Sequence, residues 1–346
     1  MNTNRYCYVV AIVAALSNPV CAQAESVPTI NGTLLGLVCE LTGSDYCLGS
    51  PQHDSRPYIE PSFELPTLYR ASRHLIAGEV EEAARLAAQV DYEVIRFADT
   101  KTDRQYLVLR EDIDSLSAPR GWGSYLLNPQ SELPAIVEAP HPNDDVNTAK
   151  VAAMVFAEGA KGLLIAGAQR DKADVPDLVD SVFHQVHVAW SGTLGQMAVW
   201  QIHGFAIEKH PFPKGAKAIL STGGGEVNDE IVDLDDRLNE RGIEGYAYNR
   251  LEANNKLNKW VNGGTPGMRF TSLAATKNEQ GRHLRSLGGT FVHVELERAI
   301  RTSAKQRRSA AEAIAEAIEA TATPKRRTKP KPHARSGRKK QSTRQA

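Results

Sequence analysis

The chain has 346 residues, 41% of them hydrophobic, with 41 basic against 41 acidic side chains. That length and apolar content are enough for one large packed domain or two smaller ones, and they exclude a chain disordered throughout. The zero net charge conceals an asymmetry. Ten basic residues and no acidic one lie between Lys325 and Arg344, which leaves the remainder near −10.

Residues 1–24 read as a signal peptide. Arg5 precedes an apolar run from Tyr8 to Leu16, and Ala22-Gln23-Ala24 forms a small-x-small cleavage signature. The run is well short of the roughly 20 residues that span a bilayer, so no transmembrane segment is expected once the signal is removed. The expected location is periplasmic or secreted. Removing the signal takes Cys7 and Cys21 with it and leaves Cys39 and Cys47, an even pair closing a short loop and expected to form one disulfide. One pair builds neither a zinc ribbon nor an iron–sulfur motif.

Residues 25–130 read as a lead region with a small α+β part. The stretch 25–63 is rich in Pro, Gly and Ser and is expected to be irregular. Helical patterns at Leu65–His74 and Glu79–Gln89 follow, then strand-like runs YEVIRFAD, QYLVLRED and GSYLL. These runs belong either to a small entry domain or to the first edge strands of the main sheet.

Residues 131–322 alternate strands and helices as in an α/β domain with a mostly parallel or mixed sheet and helices on both faces. Strands are expected at Ala135–Ala139, Gly162–Gly167, Ala198–His203, Ala218–Thr222 and Thr290–Glu295. Helices are expected at Thr148–Glu158, Val175–Val188, Glu230–Arg241, Gln280–Leu287 and Ser303–Ala320. Pro324 ends the last pattern, and residues 323–346 read as a disordered basic tail suited to anionic surfaces such as lipopolysaccharide, teichoic polymers or nucleic acid.

The stretch PAIVEAPHPNDDVNT, Pro134–Thr148, reads as strand, tight loop and helix. His141, Asp144 and Asp145 then occupy a loop at the carboxyl end of a strand, where open α/β sheets place their binding crevices. VWQIHGF sets His203 at the end of a second apolar strand, and TFVHVELER sets Glu295 at the end of a third. Such groups are expensive to bury without a partner. Two imidazoles and one carboxylate fill three positions of a tetrahedral Zn2+ site, with the fourth left for water. Glu295 is then free as general base. No G-x-S-x-G elbow is present, which argues against a serine hydrolase of the α/β type.

The order H-x-x-D, a later single His on a strand and a Glu on the last strand resembles the zinc-dependent exopeptidase and amidohydrolase superfamily. That group contains zinc carboxypeptidases, poly-gamma-glutamate hydrolases and N-formylglutamate amidohydrolases. The resemblance covers roughly residues 131–320 and implies a zinc-exopeptidase-like (phosphorylase/hydrolase-like) fold, one zinc, and hydrolysis of an amide or peptide bond. By position it implies His141 and His203 as ligands, Asp144 as the carboxylate ligand and Glu295 as the catalytic base. The carboxypeptidases usually carry Glu where Asp144 stands, which leaves Asp145 as the alternative ligand.

Around this set, Arg170 follows the strand LLIAGAQ and is placed to fork onto a substrate carboxylate. His293, two residues before Glu295, is placed to hydrogen-bond a ligand. His184 and His187 lie in an apolar helical pattern and read as packing histidines. Asn278, Gln280 and Arg282 open a helix with polar groups expected to be exposed towards substrate. Glu297 and Arg301 read as an i, i+4 pair. The expected function is an exported zinc-dependent hydrolase of a peptide or cell-wall-type substrate. The second reading is a non-catalytic envelope-associated binding protein of the same fold.

Overall fold

The computed structural model describes residues 27–42, 57–194, 197–210, 215–248 and 273–322. The expected signal, Cys47 and the basic tail lie outside these residues, so the disulfide, the cleavage site and the tail's role lie outside them too. Among the described residues no helix is long and apolar enough to cross a membrane.

Among the described residues ten strands form one sheet: β1 (Thr29–Gly32), β2 (Tyr92–Asp99), β3 (Gln105–Glu111), β4 (Ser124–Leu127), β5 (Leu133–Ala139), β6 (Ala160–Ile165), β7 (Ala198–Phe205), β8 (Ala218–Ser221), β9 (Gly245–Ala247) and β10 (Thr290–Glu297). Their spatial order is β1-β2-β3-β4-β6-β5-β7-β10-β8-β9. The central run β6-β5-β7-β10 is parallel, whereas β2, β3, β4 and β6 pair antiparallel. The sheet is therefore mixed. The runs before residue 131 join it directly, and β1 pairs in parallel with β2 along its edge.

Helices cover both faces. On one lie α1 (Leu34–Thr42), α4 (Thr148–Ala157), α6 (Asp229–Glu240) and α9 (Ala304–Ala322), packed on Val137, Trp200, Val292 and Val294. On the other lie α2 (Glu64–Ile76), α3 (Val80–Ala87), α5 (Val182–Thr193) and α7 (Glu279–Ser286), packed on Ile136, Val199 and Phe291. A short α8 (Arg298–Thr302) joins β10 to α9. The amphipathic α6 is started by Asn228, whose side chain accepts from Ile231 N, with Asp229 and Glu230 in the first turn favoured by the helix dipole.

Two expectations need correction. The stretch 25–63 contains β1 and α1: Thr33 Oγ1 caps α1 by accepting from Gly36 N at 3.2 Å, and Asp99 Oδ1 on β2 accepts from Leu34 N at 3.1 Å. The expected helix Val175–Val188 is broken. A 3-10 turn covers Val175–Asp177, Leu178 is extended, and Ser181 caps a new start by accepting from His184 N.

The strand ends are held by close backbone packing. Gly123, at φ +96°, precedes β4, and a Cβ there would run into Ile165 O at the end of β6. Left-handed strain and an overlap with backbone that cannot rotate away add, so Gly123→Ala is expected to cost about 2–4 kcal/mol. A urea titration checks this: the midpoint falls with the slope unchanged.

Candidate metal centre and hydrolytic site

Along the face covered by α5 and α7, each central strand changes character towards its carboxyl end. Side chains two apart share a face, and on β5 Ile136 is followed by Glu138. On β7 Val199 is followed by Gln201 and His203, and on β10 Phe291 is followed by His293 and Glu295. Register aligns these positions, with Glu138 beside Gln201, Gln201 beside His293 and His203 beside Glu295. A buried polar patch thus continues the apolar core to the crevice.

The loop after β5 brings His141 and Asp145 over this patch. Asp145 N donates to His141 O at 2.9 Å, and Asn147, at φ +64°, turns the chain into α4. His141 Nδ1, His203 Nδ1 and Asp145 Oδ2 converge: the nitrogens are 3.2 Å apart, and the carboxylate oxygen is 3.5 and 3.7 Å from them. Asp145 Oδ2 also accepts from Gly204 N at 3.1 Å.

The outer nitrogens are occupied elsewhere. His141 Nε2–H donates to Asp174 Oδ1 at 2.8 Å, and His203 Nε2–H donates to Gln201 Oε1 at 2.7 Å. Three electron pairs therefore face one point, a repulsive arrangement that a proton or a cation relieves. Burial pushes the His141 imidazole down, but hydrogen bonds to Asp145 and Asp174 outweigh it and raise it to about 9. Burial and the neighbouring His293 and His141 hold His203 well below its ordinary range. Metal–ligand bonds of about 2.0–2.1 Å in a tetrahedron separate ligand atoms by about 3.3 Å. The observed separations fit that size, and an N,N,O set suits zinc.

Asp144 is not in this group. Its Oδ2 accepts from Arg170 N at 2.8 Å and braces the loop after β6. Adjacent residues in a tight loop point apart, and here only Asp145 faces the imidazoles.

His203, His293 and Glu295 form a second set of donor atoms within 4.8 Å of one another. The ring centroids of His203 and His293 are 4.5 Å apart. Glu295 is 6% exposed, and among the described residues neither its Oε2 nor His293 Nδ1 has a hydrogen-bond partner. Burial first, and the Asp145 charge second, raise the Glu295 carboxyl to about 8. Burial and His141 hold His293 down at about 3. A cavity of about 290 Å³ opens here, lined by His141, His203, His293, Glu295, Arg170 and Asp174 among others. Arg170, its side chain 54% exposed at the rim, donates through Nε to Asp174 Oδ2 at 3.3 Å.

The sequence signals around this centre sort differently from expectation. Asn278 and Gln280 are buried, not exposed: Asn278 Oδ1 caps α7 by accepting from Gly281 N, and Gln280 Nε2 lies 3.1 Å from His184 Nδ1. Arg282 pairs with Glu279 on the surface. Glu297 caps α8 by accepting from Ala299 N, while Arg301 donates to the carbonyls of Leu296, Val146 and Phe205 in place of the expected pair. His187 donates to Glu138 in the core. Asp174, for which the sequence shows no distinguishing pattern, directly precedes the 3-10 turn Val175–Asp177 and accepts from His141 Nε2–H at 2.8 Å. A carboxylate just before a proline-containing turn is a weak signal on its own.

No protein-family model matches the chain, and no curated protein matches it. It is similar to several solved structures. An N-formylglutamate amidohydrolase from Ralstonia eutropha JMP134 aligns over 57% of this chain and 96% of its own, at 14% identity and a TM-score of 0.39. A bacteriophage poly-gamma-glutamate hydrolase aligns over 55% and 86%, at 14% and 0.31. A putative carboxypeptidase A from Shewanella denitrificans OS-217 aligns over 70% and 68%, at 10% and 0.36. At these values the likeness says nothing of activity, and the chemistry rests on the side chains above.

Proposed function

We propose that this chain is an exported metal-dependent hydrolase of amide bonds, acting on a peptide or a cell-wall-type substrate. The observation that carries the reading is the convergence of His141 Nδ1, His203 Nδ1 and Asp145 Oδ2 beside a buried carboxylate, Glu295, one oxygen of which has no partner among the described residues. His141, His203 and Asp145 would hold one Zn2+.

Zinc, when bound, supplies Lewis-acid polarisation and a lowered water pKa at that point. Glu295 takes the proton of the attacking water and delivers it to the leaving nitrogen. Its seat on β10, in register with His203, keeps it in place without a moving loop. Asp174 holds the His141 ring, as carboxylates do for metal-binding histidines. Arg170 at the rim offers a fork for a substrate carboxylate, which favours acidic or chain-terminal substrates. The basic tail gives the exported protein an affinity for anionic envelope polymers.

Elemental analysis of purified protein tests the metal. One zinc per chain is expected in wild type, and His141→Ala and His203→Ala should each abolish it while the far-ultraviolet circular dichroism stays unchanged. Wild type that remains metal-free after incubation with zinc and desalting overturns the proposal. Release of amine from N-acyl amino acids, gamma-glutamyl peptides and peptidoglycan stem peptides then identifies the substrate.

A further inference from the structure

Behind the metal-facing histidine runs a polar chain, none of it accounted for by the reaction above. Glu138 and Gln201, on adjacent strands, are both 0% exposed. Glu138 Oε1 accepts from His187 Nδ1–H at 2.8 Å, and its Oε2 accepts from Gln201 Nε2–H at 2.8 Å. Gln201 Oε1 accepts from Asn278 Nδ2–H and from His203 Nε2–H, each at 2.7 Å. Burying a carboxylate and two amides under a sheet is costly unless each polar atom has a definite partner.

We propose that Glu138 and Asn278 together fix the Gln201 amide in one orientation, and that Gln201 in turn fixes His203 in the tautomer protonated on Nε2, leaving Nδ1 as a metal-ligating electron pair. Glu138, Gln201 and Asn278 are thus positioning residues. The proposal rests on the metal-site reading for its purpose, though not for its geometry.

The orientation follows from donor and acceptor counting. A carboxylate accepts only, so the end of the Gln201 side chain facing Glu138 must be its NH2 group. The other end is set independently. Asn278 spends its oxygen on the N-terminus of α7, accepting from Gly281 N at 2.8 Å, so it can present only its NH2 to Gln201. Both neighbours demand that Oε1 of Gln201 point towards His203. An imidazole nitrogen 2.7 Å from that oxygen must carry the hydrogen. A reversed amide would set its NH2 against Asn278's, place the Gln201 oxygen against the Glu138 carboxylate, and draw the His203 proton onto Nδ1. That proton would occupy the position where the ion binds.

Substitution makes the relay legible. In Glu138→Gln an amide oxygen that accepts from His187 Nδ1–H sets its NH2 against the NH2 of Gln201. The conflict is relieved by turning Gln201 over, or by moving the His187 proton to Nε2, which has no hydrogen-bond partner among the described residues; the nitrogen-15 spectra report the tautomer of His187 beside that of His203 and separate the two. In the exchange variant Glu138→Gln/Gln201→Glu the bonds joining residues 138, 187, 201, 203 and 278 are restored with donors and acceptors reversed between the two strands, and the one bond lost is the long one, 3.4 Å, from Gln201 Nε2 to Gln280 Oε1. The carboxylate then accepts from His203, Asn278 and the amide on β5.

Nitrogen-15 spectra of histidine-labelled, metal-free protein read the tautomer directly, and zinc competition against a chromophoric chelator reads the affinity. Wild-type His203 is expected as the Nε2–H form. Glu138→Gln should mix in the Nδ1–H form and weaken zinc binding about 10–100-fold, and the exchange variant should restore both readings. Gln201→Leu, which keeps the volume without the acceptor, serves if Glu138→Gln does not fold and should also lose the single tautomer. His203 protonated on Nδ1 in wild type, an unchanged tautomer in both single variants, or no recovery in the exchange variant overturns the proposal. The wild-type spectrum is taken without metal. A protein showing the expected tautomer that never binds zinc would therefore remove the hydrolase reading and leave this one standing.

Discussion

Glu295→Gln is expected to lower kcat about 10²–10⁴-fold while zinc content stays at one per chain, because general base catalysis is lost and no ligand is removed. The amide fills the same space and has no basic oxygen to take the proton of water. Steady-state kinetics beside elemental analysis check both halves, and loss of metal in this variant would mean that Glu295 is a ligand instead. The same substitution has a signature in the metal-free protein. Burial, then the Asp145 charge, raises the carboxyl from 4.5 to about 8 in the folded state. The folded protein therefore holds this proton more tightly than the unfolded chain does. The contribution to stability is complete below the unfolded value of 4.5 and is lost as pH rises through about 8. At about pH 9 wild type carries a penalty of a few kcal/mol that the uncharged variant escapes, so Glu295→Gln should melt higher there, and the gap should close towards about pH 4. With a cation bound, attraction draws the carboxyl below its metal-free value, and the acid limb of the kcat/KM profile then falls below about 8.

How much of this site the sequence displays depends on the kind of order involved. His203 and Glu295 are legible because each is a polar group near the carboxyl end of a strand rich in Val, Ile, Trp, Phe and Leu, and period-two alternation sets which face they share. The core strands are legible for the same reason, since β5, β7 and β10 are runs of Val, Ile, Trp and Phe. What pattern does not show is long-range pairing. The start of α1 carries a local cap, Thr33, whose hydroxyl accepts from Gly36 N at 3.2 Å, but its second support is Asp99, 65 residues away, which no local pattern displays. Asp174 acquires meaning only through its contact with His141, 33 residues earlier in the chain. Asn278 and Gln280 have the composition of a solvated helix start, yet Gln201 and His184 supply partners that make burial tolerable. Gln201 itself reads as one polar residue within an apolar strand, and its role follows from its neighbours across two strands and one helix.

The choice between Asp144 and Asp145 is the point at which sequence and structure part, and it carries the second large effect. Asp145→Asn removes the anionic ligand but keeps an oxygen to accept from Gly204 N, so the loop is expected to survive. Zinc affinity should fall more than the roughly 100-fold upper bound typical of residues that only support a ligand. Asp144→Asn keeps an acceptor for Arg170 N outside the donor cluster and should leave zinc affinity close to wild type. Chelator competition on the two variants decides: equal affinities, or the larger loss in Asp144→Asn, would return the ligand role to the residue three after His141. The metal-free protein gives an independent reading. Hydrogen bonding to Asp145 and Asp174 is what raises His141 to about 9 against the effect of its burial. Removing the Asp145 charge should therefore move the His141 titration to lower pH. It should also lower the Glu295 carboxyl, whose second-largest upward push is that same charge. A single substitution shifting an imidazole and a carboxyl downward together is the behaviour of one shared charge at the centre of the cluster, and a structural disturbance of the loop alone has no reason to move both in that direction.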